Sequence, residues 1–366
     1  MLLTEEDFFD MTMDYVKRAV ADNVRHAEIF FDPQTHTARG VPIGTVIDGI
    51  ADALAQARTE YDFSSSLILC FLRHLSEDDA FATLESALPY RDRFVGVGLD
   101  SSEKGNPPEK FARVFARARE LGLHLVAHAG EEGPAQYVSD ALDILKVERI
   151  DHGVRSIDDA ALIERLARER VALTVCPLSN QKLKVHPDLS KHPLKRMLDA
   201  GVVITLHSDD PAYFGGYMNA NWEATFAALP LDAADAHKLA RNSFEAAFLP
   251  PTQKAEFLAE VDHFWSATPT IPPVTGPRGL SAHTNSPALR VRAGRPREAD
   301  HDRPLPPTPS ITRAIRGRVL HFLHDPQFHE DAYQYWEDGL LIVTAGRIVA
   351  AGDYTALARA SRLARR

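Results

Sequence analysis

The sequence predicts an α/β chain: a (β/α)8 TIM-type barrel lacking its first strand, followed by a Pro-rich linker and a short β-rich tail. Three observations carry this. Over the first 266 residues, strand-like apolar runs alternate with helix-like segments, the pattern of a right-handed parallel architecture. The runs are dense in Val, Ile, Leu and Phe with little polar alternation, as strands covered on both faces require. Chemistry-bearing residues gather where the runs end: His128-Ala129-Gly130-Glu131, Asp151-His152-Gly153 and Ser208-Asp209-Asp210-Pro211. A parallel barrel builds its active site at those strand ends.

The chain opens on an amphipathic helix pattern over residues 1–20, with acidic residues early. Strands are expected at 26–32, 66–74, 94–100, 124–128, 149–152, 171–177 and 202–208. Helices are expected between them, as at 108–121, 157–170 and 194–200, with Gly122 and Gly201 placed as C-caps. That makes seven strands where a closed barrel has eight. Because the chain begins with a helix, the missing unit is expected before Met1. Residues 267–310 hold ten of the 24 prolines with little apolar periodicity, and read as an extended or disordered linker. In the remainder, 311–366, strands are expected at 315–323 and 340–351, with Asp338-Gly339 and Ala345-Gly346 as turn signals. A short helix is expected at 355–363.

Composition narrows the function. The chain has 45% hydrophobic and 25% charged residues, ordinary for a soluble globular protein. Two cysteines, Cys70 and Cys176, cannot build a disulfide framework, and the N-terminus shows no basic region followed by an apolar core. Both features point to a cytoplasmic protein. No run of 18 apolar residues suggests a membrane span. The net charge of −10 is uneven: residues 267–366 carry 14 arginines and nine acids, a net +5, which leaves −15 on the first 266. The tail arginines are dispersed among prolines and read as a solvated tail, so no nucleic-acid partner is expected.

A lone histidine at a strand end is usually structural, but His128 has company. Glu131 follows it after an Ala-Gly turn and can face the same cavity. His152 lies one strand later, where an imidazole can orient or deprotonate a water. Asp209 and Asp210 follow the run Val-Val-Ile-Thr-Leu, and adjacent carboxylates at an apolar strand mouth are costly unless paired or metal-bound. A capping role before Pro211 explains one of them, not both. Other strand-region histidines (His74, His124, His186, His192 and His207) read as structural or exposed. Cys176 reads as a buried apolar thiol. Arg73 either lines the pocket or packs.

In this order and spacing, His-Ala-Gly-Glu, Asp-His-Gly and Ser-Asp-Asp-Pro resemble the adenosine/adenine deaminase family. HAEIFFDPQTH at 26–36, GLDSSE at 98–103 and DDPAYFGGY at 209–217 are closer to its adenine deaminases, and the similarity covers about residues 1–265. The resemblance implies a zinc-dependent barrel that replaces the 6-amino group of a purine with oxygen, here turning adenine into hypoxanthine and ammonia. It implies His128 and Asp209 as zinc ligands and Glu131 as the proton donor to the purine ring. His152 would orient the attacking hydroxide, and Asp210 would hydrogen-bond a second ring nitrogen. Glu103 stands where adenosine deaminases usually carry glycine. A bulky acid there would close space that a ribose uses, favouring the free base as substrate.

The family's first strand supplies two zinc ligands as a His-x-His pair, and no His-x-His occurs in this chain. Structural zinc is worth roughly 10–16 kcal/mol, and catalytic zinc normally keeps three protein ligands. Two ligands are expected to hold the ion weakly and impair activity. The strands at 26–32 and 202–208 are expected to be open edges. An inactive remnant, an adenosine deaminase and another metal-dependent amidohydrolase remain as alternatives. Segments of the tail at 314–320, 337–343 and 346–353 resemble the N-terminal β-segment of guanine deaminases over about 40 residues.

Overall fold

The computed structural model describes residues 2–267 and, beyond them, the backbone of 312–322, 333–344 and 347–353. By contacts the chain divides into residues Met1–Thr275 and Gly276–Arg366.

In the first unit seven strands form one sheet: β1 (His26–Phe31), β2 (Ser64–Leu72), β3 (Gly96–Asp100), β4 (His124–Ala129), β5 (Arg149–His152), β6 (Ala172–Val175) and β7 (Val203–Leu206). They pair in chain order, and every pairing is parallel. All seven expected runs are strands, with ends shifted by a residue or two. The reason they were legible is their burial: every residue of β3, β5 and β7 is buried. Among the described residues β1 and β7 are the two edges of the sheet and do not pair with each other.

Helices cover the outer face. The first, Glu5–Ala21, starts at Thr4, whose hydroxyl accepts from the Asp7 N–H while Asp7 reaches back to the Thr4 N–H, a reciprocal capping box. It packs on the helix Ile43–Tyr61 at Gly49, where an added Cβ would sit 2.5 Å from the Glu5 carbonyl oxygen. The helix expected at 157–170 is interrupted: a 3-10 turn at Val154–Asp158 ends at Asp159, whose carboxylate accepts from the Ala161 and Leu162 N–H groups and starts a new helix, Ala160–Glu169. A capping Asp wins over helix continuity there. Likewise 108–121 divides into a 3-10 turn, Pro108–Phe111, and the helix Ala112–Glu120.

Inside the sheet's curl, Ile68, Cys70 and Val126 form a small apolar cluster flanked by Phe30, Val95 and Phe248. Gly98 makes room for it: a Cβ there would meet the Cys70 sulfur at 2.5 Å. One buried ion pair crosses the interior, from Glu28 on β1 to Arg149 on β5. Glu28 also accepts from the Phe248 N–H and lies 3.3 Å from His26 Nε2. The Arg149 guanidinium sits 4.5 Å over the Phe248 ring, whose other neighbour, His124, stacks at 4.0 Å. Burial opposes the charge on Glu28, but the Arg149 guanidinium and the His26 contact win, and its pKa falls to about 2.

The second unit is a three-stranded antiparallel sheet, ordered β10-β9-β8, from β8 (Thr312–Phe322), β9 (Tyr333–Thr344) and β10 (Arg347–Asp353). The expected turn at Asp338-Gly339 is not one. Gly339 is inside β9 and pairs with both Gly317 and Asp353. Pairing on both sides overrides the turn preference, and the glycine signal surfaces instead as a register shift between Gly317 and Val319. The expected strand region at 340–351 is the end of β9 and most of β10, which stop and start on either side of the expected turn signal Ala345-Gly346. Of the expected linker, Ala267 ends the helix Pro251–Ala267, and 268–310 lies outside the described residues. So do Ala345-Gly346 and the helix expected at 355–363.

Candidate active site

The C-terminal ends of β4, β5, β6 and β7 bring His128, His152, Cys176 and Asp209 to one mouth of the sheet. His152 is the last residue of β5, and Asp209 follows β7. Both have left-handed backbones, φ +63° and +56°, a region that Asp and His enter more readily than most residues. The His128 and His152 rings lie 4.9 Å apart. His152 Nε2 is 3.8 Å from Asp209 Oδ2, and its Nδ1 is 3.3 Å from Glu131 Oε1. Asp210 sits further out, its N–H bonded to Asp209 Oδ1 at 3.0 Å. A cavity of about 1060 Å³ opens here, lined among others by His128, His152, Cys176, Asp209 and Asp210.

Electrostatics couple the group. Burial raises the pKa of Glu131, against the opposing pull of His152 and His128. Burial also disfavours charge on His152, yet the Glu131 and Asp209 carboxylates outweigh it and raise its pKa. Burial and the neighbouring Asp209 and Asp32 raise that of Asp210. All three pKa values are thus raised, by burial at the two carboxyls and by the neighbouring carboxylates at the imidazole, the kind of perturbation that marks candidate functional sites.

Metal donors are present in the same place. His152, Cys176 and Asp209 offer ligand atoms that all lie within 4.8 Å of one another. His128 Nδ1 is buried without a hydrogen-bond partner. Imidazole, thiolate and carboxylate are the donors zinc selects, so the residues fit such an ion in kind. Asp32 just after β1, Cys70 within β2 and Asp100 at the end of β3 form a second close group, where burial and the adjacent Asp32 push the Asp100 pKa well up.

The structure thus brings together five of the six sequence-derived residues: His128, Glu131, His152, Asp209 and Asp210. The sixth, Glu103, is buried behind the Gly130–Gly133 turn, and its carboxylate accepts backbone N–H groups there. Asn180 was missed. Its Nδ2 donates to Glu131 Oε1 at 2.7 Å, and its Oδ1 meets His192 Nε2 at 3.2 Å. His192 Nδ1 accepts from the Leu194 N–H, so Nε2 carries the proton and the Asn180 amide is held one way round. Burial and the nearby His186 keep His192 neutral, with a pKa of about 3. Asn180 ends the segment Cys176-Pro177-Leu178-Ser179-Asn180 after β6, and that strand-end position was the available signal.

Residues 1–264 match the family model described as Adenosine deaminase. The chain belongs to the adenosine deaminase family. Within the family, it is 96% identical over 277 residues to an adenine deaminase of Cupriavidus pinatubonensis, covering 76% of this chain and 79% of that one. Among solved structures, the crystal structure of adenine deaminase from Arthrobacter aurescens aligns with a TM-score of 0.71 at 48% identity, covering 73% of this chain and 81% of that one. An amidohydrolase from Burkholderia ambifaria with bound Zn aligns with a TM-score of 0.69 at 29% identity, over 73% and 76%.

Proposed function

We propose that this family member hydrolyses adenine, a free small-molecule purine, to hypoxanthine and ammonia in the cytoplasm. The observation that carries the reading is the contact chain Glu131–His152–Asp209, with links of 3.3 and 3.8 Å. Glu131 gives a proton to a purine ring nitrogen, which offsets the negative charge that attack at C6 creates; burial, which raises its pKa, favours that protonated form. Asn180 holds the other demand on Glu131, bonding Oε1 so that Oε2 is left to face the ring. His152, as the neutral imidazole, takes the proton of the attacking water; the Asp209 carboxylate beside its Nε2 stabilises the imidazolium so formed, which delivers the proton toward the leaving amine. Asp210 hydrogen-bonds a second ring nitrogen.

His128 and Asp209 would hold zinc, with Cys176 close by as a further donor and His152 left for proton transfer. When bound there, such an ion would supply Lewis acidity toward water near neutral pH. With no His-x-His in the chain, the ion is held by fewer strong ligands than a catalytic zinc normally has, so weak zinc binding and reduced turnover are part of the proposal.

The test is ammonia and hypoxanthine release by the purified chain in added zinc, with adenine and adenosine as rival substrates and bound zinc measured by elemental analysis. Ammonia from adenine, and little from adenosine, is expected. No release from adenine at saturating zinc overturns the reading, and faster release from adenosine overturns the choice of base.

A further inference from the structure

The Glu103 carboxylate does unusual duty. Oε1 accepts the Gly130 N–H at 2.8 Å, and Oε2 accepts those of Glu131, Glu132 and Gly133 at 2.9, 2.7 and 2.7 Å. Four consecutive amides therefore converge on one side chain that is only 2% exposed, a backbone concavity of the kind that binds anions. Donors on both oxygens match a carboxylate, which has two acceptor oxygens, and not a side-chain amide, which has one. The partner charge is built in: Arg73, fully buried, places Nη1 3.8 Å from Oε1. The same Nη1 donates to the His128 carbonyl at 2.6 Å, and Nε donates to the Asn106 carbonyl at 2.9 Å. The loop after β3, the end of β4 and the turn that follows it are thus tied to one ion pair.

The second residue of that turn is Glu131, whose side chain must meet His152 and Asn180. Gly130 takes φ +68°, a conformation glycine reaches freely, so the turn has little stiffness of its own at that point. We propose that Glu103 is the positioning residue of this site: by holding the N–H groups of residues 130–133 it fixes the direction in which Glu131 projects. This rests on the deaminase reading for its catalytic consequence, and on the hydrogen bonds alone for its structural one. It also gives the acid at position 103 a task other than narrowing a sugar pocket.

The test compares the full chain with E103Q and E103D. In E103Q one end of the side chain becomes a donor, so an N–H of the turn faces another N–H. E103D keeps the charge on a stem one methylene shorter. Hydrogen exchange at amides 130–133 is expected to quicken at least about tenfold in E103Q while the helix Ile43–Tyr61 is unchanged. The Glu131 side-chain carboxyl ¹³C resonance, assigned with E131Q, is expected to move. For ammonia release from adenine, kcat is expected to fall at least about tenfold with KM within about threefold, and E103D is expected to lie between. Unchanged exchange or an unmoved Glu131 resonance overturns the proposal. A rise in KM alone overturns it too, since Glu103 would then touch substrate. If neither variant folds, Glu103 serves folding only and the proposal fails. If the unsubstituted chain releases no ammonia, the deaminase reading falls by itself, and the exchange and ¹³C comparisons still decide what Glu103 does.

Discussion

The Glu28–Arg149 pair gives the most quantitative expectation. R149M keeps the aliphatic bulk against Phe248 and removes the cation. Glu28 then has only the Phe248 N–H and His26. Its pKa falls from 4.5 to about 2 in the native chain. At 1.36 kcal/mol per pKa unit the whole shift, which Arg149 shares with His26, is about 3 kcal/mol of stability at pH 7, near the ~3–5 kcal/mol typical when one partner of a buried pair is removed. The sign follows from linkage: a depressed carboxylate pKa contributes fully above the unfolded value of 4.5 and is lost as pH falls toward 2. The gap between R149M and the parent should therefore narrow, by about 1 kcal/mol at pH 4 and about 2 kcal/mol at pH 3. Urea unfolding of residues 2–267 in the full chain, followed by far-UV circular dichroism at several pH values, reads both quantities. A gap below about 1 kcal/mol at pH 7, or one that stays constant down to pH 3, would refute the reasoning.

Two further expectations concern the site and the scaffold. N180L removes the amide that holds Glu131 Oε1, and is expected to lower kcat for adenine at least about tenfold while leaving zinc content unchanged; an unaltered kcat would show that Asn180 only packs. G49A places a methyl 2.5 Å from the Glu5 carbonyl oxygen and 2.8 Å from the Phe8 Cβ. It is expected to cost about 1–3 kcal/mol by forcing the helices Glu5–Ala21 and Ile43–Tyr61 apart, and an unchanged melting temperature would contradict the close approach.

The strands were legible because a strand buried on both faces writes a continuous apolar run, and β3, β5 and β7 are of that kind. His128, His152 and Asp209 were legible because each closes such a run. What stayed hidden depends on partners far along the chain. Arg149 reads as a polar interruption at the start of a strand until the sheet curls and brings Glu28 to it across 121 residues. His192 looked incidental, and is structural as expected, but its single acceptor position decides which way Asn180 points, and no local pattern encodes that. Glu103 was noticed for its bulk, while its role lies in backbone amides nearly 30 residues later. Asp338-Gly339 carries a strong local turn preference that neighbouring strands on both sides overrule.

The strand order of the first unit, in which each strand lies beside the one before it, has a consequence for biosynthesis. Each strand after β1 emerges from the ribosome to find its partner edge already made and unclaimed, so no later strand must wait for sequence still to be translated in order to pair. Such a sheet can grow vectorially, one unit at a time, at the pace of elongation. The acid–base cluster is then completed late in the growth of this sheet, since Asp209 and Asp210 leave the exit tunnel after every other member of it.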